Sequence, residues 1–253
     1  DMKILASDYD GTLRVNEKVE SYDLDMIHKH RAAGNLFGLV TGRSMESIKA
    51  EIEGNGIEVD FVIANNGGVI YDKQFQKLRC IYMDTQAAQE IIAYIKSEEC
   101  ASYVINDGYH RHKYIVNEAI EDVKYGNIPT HAKDEVYQGM IAQLVVSLQD
   151  DNLAHTIAAY INQNFSAYAV AYVNVNCVDI VPVGISKADG IIYLKERYGW
   201  EKENIYVIGD SYNDLPMLKA FHGFTLFHAK DEIKANAEAV FAQVGDCIKA
   251  LQA

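Results

Sequence analysis

Short apolar runs bounded by small polar residues recur through the first part of the chain. Ile4-Leu5-Ala6, Leu36-Phe37-Gly38-Leu39-Val40 and Phe61-Val62-Ile63-Ala64 are each long enough for one buried strand. The first of these strands is expected to span Lys3 to Ser7. Between the first two runs, Ser21 to Ile27 opens a helix. Ser21 is the expected N-cap, and Leu24, Ile27 and His28 fall on one face. That helix is expected to stop at Ala33-Gly34, and a second helix starts from Met45. Strand, small polar turn and helix have then repeated, which predicts a parallel sheet. The third run ends in Asn65-Asn66-Gly67-Gly68 and leads into a strand at Val69-Ile70-Tyr71. These Asn and Gly residues adopt left-handed backbone angles at little cost. They either make a tight turn or place Asn65 or Asn66 as a hydrogen-bonding wall.

From about Cys80 the pattern changes. Gln86 to Lys96 reads as an amphipathic helix with Ile91, Ile92 and Ile95 inward. Ser102 to Asn106, Arg111 to Val116, Gln143 to Leu148, Tyr168 to Tyr172 and Cys177 to Val181 read as strands. Glu118 to Tyr125 and Leu153 to Asn164 read as helices. Strands and helices no longer alternate one for one, which predicts an α+β module with a largely antiparallel sheet. After Pro182-Val183-Gly184 the parallel pattern resumes. Ile185-Ser186-Lys187 leads a helix running to about Tyr198, Asn204 to Ile208 is a strand, a helix begins near Leu215, and Gly223 to Phe227 is a short final strand. The expected fold class is α/β: a doubly wound parallel-sheet core, residues 1–79 and 182–253, with an α+β cap, residues 80–181, inserted into it. Trp200 after Gly199 is expected to pack at a helix end, and Tyr103, Tyr168 and Tyr172 in the cap core or on its surface.

Composition narrows the function. The 253 residues are 49% apolar, enough for a full core. The 36 acidic against 23 basic side chains give a net charge of −13, which argues against a nucleic-acid or anionic-membrane surface. An anionic substrate is still compatible, because a bound metal ion reverses the field locally. The four cysteines form no CxxC pair, as expected of free thiols in a reducing compartment. No run reaches membrane-span length, and with the first residues already forming a strand no signal peptide is expected before Asp8. The expectation is a soluble, cytoplasmic protein that binds neither nucleic acid nor membrane. Its oligomeric state is open.

The turns carry the chemistry. Asp8 and Asp10 lie two residues apart after the first strand, so both can project from its carboxyl end. In an open α/β sheet that edge binds ligands. Gly11 lets the chain turn sharply there. Two close carboxylates need a compensating charge, and Mg²⁺ suits hard oxygen ligands. Thr41, Lys187, Asp210 and Asp214 stand at the ends of other strands or the start of a helix, so most of these groups can converge. A carboxylate nucleophile, a hydroxyl, an ammonium and further carboxylates suit phosphoryl transfer, which is mostly positioning and charge stabilisation.

Asp8-Tyr9-Asp10-Gly11-Thr12, Val40-Thr41-Gly42-Arg43, Ser186-Lys187 and Gly209-Asp210-Ser211-Tyr212-Asn213-Asp214 resemble the four motifs of the haloacid dehalogenase superfamily. Their order, with an insertion between the third core strand and the lysine motif, resembles its Cof-type sugar-phosphatase branch, and the resemblance spans essentially the whole chain. It implies a Mg²⁺-dependent phosphatase that hydrolyses a small phosphorylated metabolite, similar to a sugar phosphate, through an aspartyl-phosphate. Asp8 would be nucleophile and metal ligand. Asp10 would be general acid and base, its backbone carbonyl also reaching the metal. Thr41, Gly42 and Lys187 would hold the phosphoryl group, and Asp210 would ligate Mg²⁺. Asn213 and Asp214 would support the metal, with Asn66 and Arg43 also at the site. Arg43 either touches substrate or pairs with an acidic neighbour.

In the cap, Arg111 and Lys113 are candidates for substrate specificity. His110 and His112 could share a strand face, but no third metal ligand stands nearby, so a solvated edge or turn is expected there. A phosphomutase or phosphotransferase would use the same aspartyl-phosphate, and a non-catalytic phosphometabolite binder would keep the fold alone. A signalling receiver domain would need its phosphoacceptor after the third strand, where Asn65 stands instead.

Overall fold

The computed structural model describes residues 1–120, 128, 130–131 and 135–253. The chain divides into two compact units. One comprises Asp1–Arg43, Ser47–Arg79 and Ser186–Ala253; the other comprises Ser44–Glu46 and Cys80–Ile185.

The first unit starts with strand β1 (Ile4–Ser7), followed by a two-strand hairpin, β2 (Arg14–Val15) and β3 (Lys18–Val19). Asn16 and Glu17 at the hairpin tip take positive φ, the backbone such a two-residue turn needs. Helix α1 (Ser21–Ala32) follows. Ser21 is its first residue rather than its cap: Glu20 holds the extended N-cap position, without a side-chain bond. Then come β4 (Leu36–Val40), α2 (Met45–Asn55), β5 (Phe61–Ala64), a 3-10 turn at Asn65–Gly67, β6 (Val69–Asp72) and β7 (Lys77–Cys80).

The second unit follows as α3 (Thr85–Lys96), β8 (Ser102–Asn106), β9 (Arg111–Ile115), β10 (Thr130–His131), β11 (Gln143–Ser147), α4 (Asp151–Asn164), β12 (Ala169–Asn174) and β13 (Cys177–Pro182). Side-chain caps start both helices. Asp84 accepts from the Ala87 N–H at 2.9 Å and Asp150 from the Asn152 N–H at 2.7 Å. The apolar stripe read on α3 is buried through Ile91, Ile92 and Ile95. The helix expected from Glu118 to Tyr125 is not seen where the chain is described. Asn117 accepts the Ala119 N–H through its own side chain, and residues 118–120 form a turn. The remainder of that stretch, through Tyr125, lies outside the described residues.

The strands of this unit form a six-stranded sheet in the order β10-β9-β8-β11-β13-β12, antiparallel except for β9 with β10. Opposed residues in antiparallel strands share a face. Lys113, Val104, Val145 and Asp179 therefore stand in one row, and Arg111, Asn106 and Gln143 in the next. That face is unusually polar yet buried, at Ser102, Asn106, Lys113, Gln143, Ser147 and Asp179. A small apolar cluster of Val104, Val145, Cys177 and Ile128 lies among them. The opposite face carries Tyr103, Ile105, Tyr114, Leu144, Val146, Val178 and Ile180, with the Tyr103 and Tyr114 rings stacked at 5.2 Å. His110 sits on the turn before β9, where its N–H donates to Asp107, and the His112 ring bonds the same carboxylate at 3.0 Å.

The first unit resumes with α5 (Lys187–Tyr198), β14 (Ile205–Ile208), α6 (Leu215–Ala220), β15 (His222–Leu226), α7 (Asp231–Lys234), β16 (Ala239–Phe241) and α8 (Val244–Leu251). The last strand is β16 rather than β15. Its three half-buried edge residues give too short a pattern to be read as periodic. The sheet order is β16-β15-β14-β1-β4-β5-β6-β7. The pairs from β16 through β5 are parallel, and β6 returns antiparallel to β5. One face packs Ile4, Ala6, Phe61 and Ile63 against Ile191 and Leu194 of α5 and Met217 and Leu218 of α6. Trp200 closes that layer at the end of α5, its ring 5.5 Å from Phe61. Helix α1 packs on α8 and β4. The fold is thus the expected α/β class. Among the described residues no helix is long and apolar enough to cross a membrane.

β1 is the switch point: β4 lies on one side of it and β14 on the other. The carboxyl ends of β1, β4, β5 and β14 therefore line one edge of the sheet, where ligands of such folds bind.

Candidate active site

Each motif residue leaves its strand at that edge. The Asp8 N–H continues the ladder to Ile208 O at 2.9 Å before the chain turns at Gly11, whose φ is +80°. A Cβ on Gly11 would collide with the Asp210 carboxylate, so the turn folds directly over that side chain. Thr12 reaches back, donating from Oγ1 to Asp210 at 3.0 Å and standing 3.4 Å from Asp8 Oδ2.

Lys187, the first residue of α5 after its Ser186 cap, is fully buried. Its ammonium donates to Asp8 Oδ1 at 2.9 Å and to Asp214 Oδ1 at 2.6 Å. The other Asp214 oxygen accepts the N–H groups of Asp210 and Ser211 at 2.9 and 3.0 Å. Ser211 and Asp214 form a reciprocal capping box that fixes the loop before α6.

One ammonium faces three carboxylates, so negative charge is in excess. Burial pushes Asp8 up to about 7, and the nearby Asp210 carboxylate adds to this against the pull of Lys187. Burial also raises Asp214 to about 7, with Asp8 adding and Lys187 opposing. Asp210 is raised for the same two reasons, burial first and then Asp214. Burial alone would lower Lys187, but Asp214 and Asp8 outweigh it and hold the ammonium charged.

This imbalance fits a cation. One oxygen each from Asp8, Asp210 and Asp214 lie within 4.8 Å of one another. Hard carboxylate donors at that spacing suit Mg²⁺. Asp214 already spends both oxygens on Lys187 and two N–H groups. Asp8 and Asp210 are thus the better direct ligands, with Asp214 holding their frame.

Asp10 stands outside this carboxylate group. Its side chain meets Arg43, whose Nε and Nη2 donate to its two oxygens at 2.7 Å each. Arg43 thus pairs with an acidic neighbour. Thr41 follows β4, buried, and its hydroxyl accepts the Arg43 N–H at 3.0 Å; Gly42 lies between them. Asn65 and Asn66 both take positive φ in a buried turn. Asn66 also accepts the Asn213 side-chain N–H at 3.1 Å, tying the turn after β5 to the loop before α6. The Asn213 Oδ1 is buried without a hydrogen-bond partner. In the second unit Arg111 and Lys113 alternate along β9 on the polar sheet face.

Three participants were not legible as such. Thr12 lies inside the first motif, and its hydroxyl spacing was the available signal. Glu51 on α2 accepts the Tyr9 hydroxyl at 2.9 Å and lies 3.2 Å from Arg14. Helical spacing shows only that Glu51 follows Ser47 by one turn. His228, in the loop after β15, bonds Gly11 O at 2.7 Å and lies 3.8 Å from Asp210; nothing in its sequence context marks it.

Residues 5–246 match the family described as haloacid dehalogenase-like hydrolase. The chain is 27% identical over 270 residues to the 5-amino-6-(5-phospho-D-ribitylamino)uracil phosphatase YwtE of Bacillus subtilis, covering 94% of this chain and 92% of that protein. It is 24% identical to the pyridoxal phosphate phosphatase YbhA of Escherichia coli, over 96% of this chain and 93% of that one. Among solved structures, the HAD subclass IIB sugar phosphatase BT4131 superposes with a TM-score of 0.84 at 19% identity, covering 99% of this chain and 98% of that one. The sheet-edge carboxylates, the buried lysine and a family match over nearly the full length agree: the chain is an enzyme of the haloacid dehalogenase-like hydrolase family, in its Cof-type branch.

Proposed function

We propose that this enzyme is a Mg²⁺-dependent phosphatase that hydrolyses a small phosphorylated metabolite, sugar phosphate-like, through an aspartyl-phosphate on Asp8. The observation that carries the reading is the buried Lys187 ammonium at 2.9 Å from Asp8, beside the Asp210 carboxylate. The phosphatase names of two relatives, one for a ribityl phosphate and one for pyridoxal phosphate, support the substrate class.

An Asp8 oxygen attacks phosphorus and the ester oxygen departs with a proton from Asp10. Water then attacks the phosphorus of the acyl phosphate and gives a proton to Asp10. The phosphorus–oxygen bond to Asp8 breaks and orthophosphate leaves. Lys187 neutralises charge on Asp8 and on the phosphoryl oxygens, while Thr41 and Gly42 hold the phosphoryl group at the adjoining turn. Asp8 and Asp210 would hold a divalent cation, which would supply further positive charge to the transferring group. Asp214 keeps Lys187 and the Asp210 loop in register. In the second unit, Arg111 and Lys113 contribute to choosing the leaving group.

The test is a panel of phosphorylated metabolites assayed for inorganic phosphate with Mg²⁺, on the wild type and Asp8→Asn. Stoichiometric phosphate from the wild type and none from Asp8→Asn is expected. Substrate loss without phosphate would point to a mutase or transferase, and binding without turnover to a phosphometabolite binder.

A further inference from the structure

We propose that Arg43 and Glu51, with Arg14, are positioning residues that fix the carboxylate of Asp10; this rests on the reading of Asp10 as general acid and base. Asp10 is the most exposed of the motif carboxylates, its side chain 44% accessible, on a turn that by itself leaves a short side chain free to change rotamer. Arg43 closes on it side-on through two N–H groups at 2.7 Å, the fork geometry that fixes a carboxylate in plane as well as in place.

Arg43 is itself held on three sides. Its Nη1 donates to Ser47 at 3.1 Å and lies 3.8 Å from Glu51 Oε1. Its guanidinium carbon stands 5.2 Å from the centre of the Tyr9 ring. Glu51 gathers the rest. It accepts the hydroxyl of the buried Tyr9 at 2.9 Å and forms an ion pair with the Arg14 Nε at 3.2 Å, while Arg14 Nη1 lies 3.8 Å from Asp10. Charges thus alternate around a closed ring of Asp10, Arg43, Glu51 and Arg14.

The ring's origins matter as much as its charges. Tyr9 and Asp10 follow the end of β1, Arg14 opens β2, Arg43 follows the end of β4, and Ser47 and Glu51 are one turn apart on α2. Exposed ion pairs contribute little to stability. What a closed ring supplies is one fixed geometry for Asp10. Glu51 touches no motif carboxylate, so it acts through the two arginines.

The experiment compares two esters with Mg²⁺: p-nitrophenyl phosphate, whose leaving group departs without a proton, and glycerol phosphate, whose alkoxide needs one. Glu51→Gln keeps shape and removes charge; Arg43→Lys keeps charge and removes the fork. Each should lower kcat/KM on glycerol phosphate by roughly 10-fold or more and on the aryl ester by under about 3-fold, the span general-acid assistance allows. In an Asp10→Asn background neither should cost more. A crystal structure of Glu51→Gln should show the two-point Arg43–Asp10 contact broken. Equal losses on both esters, losses that multiply with Asp10→Asn, or an intact contact in Glu51→Gln would overturn the proposal. A wild type that releases phosphate from no ester would instead sink the phosphatase reading itself.

Discussion

The Lys187 ammonium and the Asp214 carboxylate meet at 2.6 Å, with neither side chain exposed to solvent. Asp214 is at the same time anchored by the backbone of the Asp210 loop. The lysine is therefore held by the carboxylate frame itself, through Asp214 and Asp8.

Lys187→Ala should accordingly depress all substrates together, by about 10²–10³ in kcat/KM, and destabilise the fold by about 3–5 kcal/mol by leaving buried carboxylates unpaired. Arg111→Ala and Lys113→Ala should instead change the ranking of substrates. A panel of esters assayed on all three variants, with denaturant unfolding alongside, checks both parts. Uniform scaling by the β9 variants together with reordering by Lys187→Ala would refute this division.

Asp8→Asn keeps the shape but removes the nucleophile, and turnover should fall by at least about 10³-fold. The same change removes a charge that burial already disfavours, with Asp8 raised to about 7. Above that pH the metal-free variant should melt no lower than the wild type. A folded Asp8→Asn protein with near-normal turnover would end the covalent scheme.

Chelation should abolish activity and Mg²⁺ should restore it, with Ca²⁺ inhibiting through its larger, looser shell. Because a ligand that binds only the folded state raises Tm, added Mg²⁺ should raise the wild-type Tm and fail to raise that of Asp210→Asn. Calorimetry of both proteins with and without Mg²⁺ reads this independently of turnover.

Asp23 on α1 gives a pH dependence far from the site. It is buried and accepts the Gly245 N–H from α8 at 2.7 Å. Burial pushes its carboxyl up to about 6, the Gly245 bond opposing and the Asp246 and Glu20 charges adding. A folded-state value above the ordinary one means the ionised form is disfavoured on folding. The penalty is absent at low pH, grows as pH rises, and is complete above about pH 6. Asp23→Asn keeps the acceptor, so it should raise Tm near pH 8 and leave it unchanged near pH 4. Thermal melts across that range decide it, and an equal gain at both ends would disprove the ionisation account.

Strand ends were the most legible part of the chain, because β1, β4 and β5 are continuous apolar runs that break abruptly into Asp8, Thr41 and Asn65. The buried parallel sheet requires such runs. Ser186, a hydroxyl residue just before the helix at Lys187, caps it by accepting the Asp189 N–H at 3.0 Å. Ser21 carried the same signal and lost to Glu20, since a cap depends on backbone angle as much as on residue type. The polar face of the second unit was hidden for another reason. Gln143, Val145 and Ser147 share a face with Asn106, Arg111 and Lys113 only through strand register, which one strand alone does not encode. Glu51 was hidden likewise, since its partners Tyr9, Arg14 and Arg43 come from other elements.

β1 pairs with β14 through Ile4 with Ile205, and Asp8 reaches Lys187 across 179 positions of sequence. During synthesis Asp8 therefore waits for most of the chain. Until β14 emerges, one edge of β1 has no partner and the carboxylates of Asp8 and Asp210 cannot meet. Closing so long a loop is entropically costly before it is rewarded, so this step should be among the slower ones in folding. A chain cut before Asp210 would have no catalytic centre and would present an open strand edge to other chains, an aggregation hazard during translation.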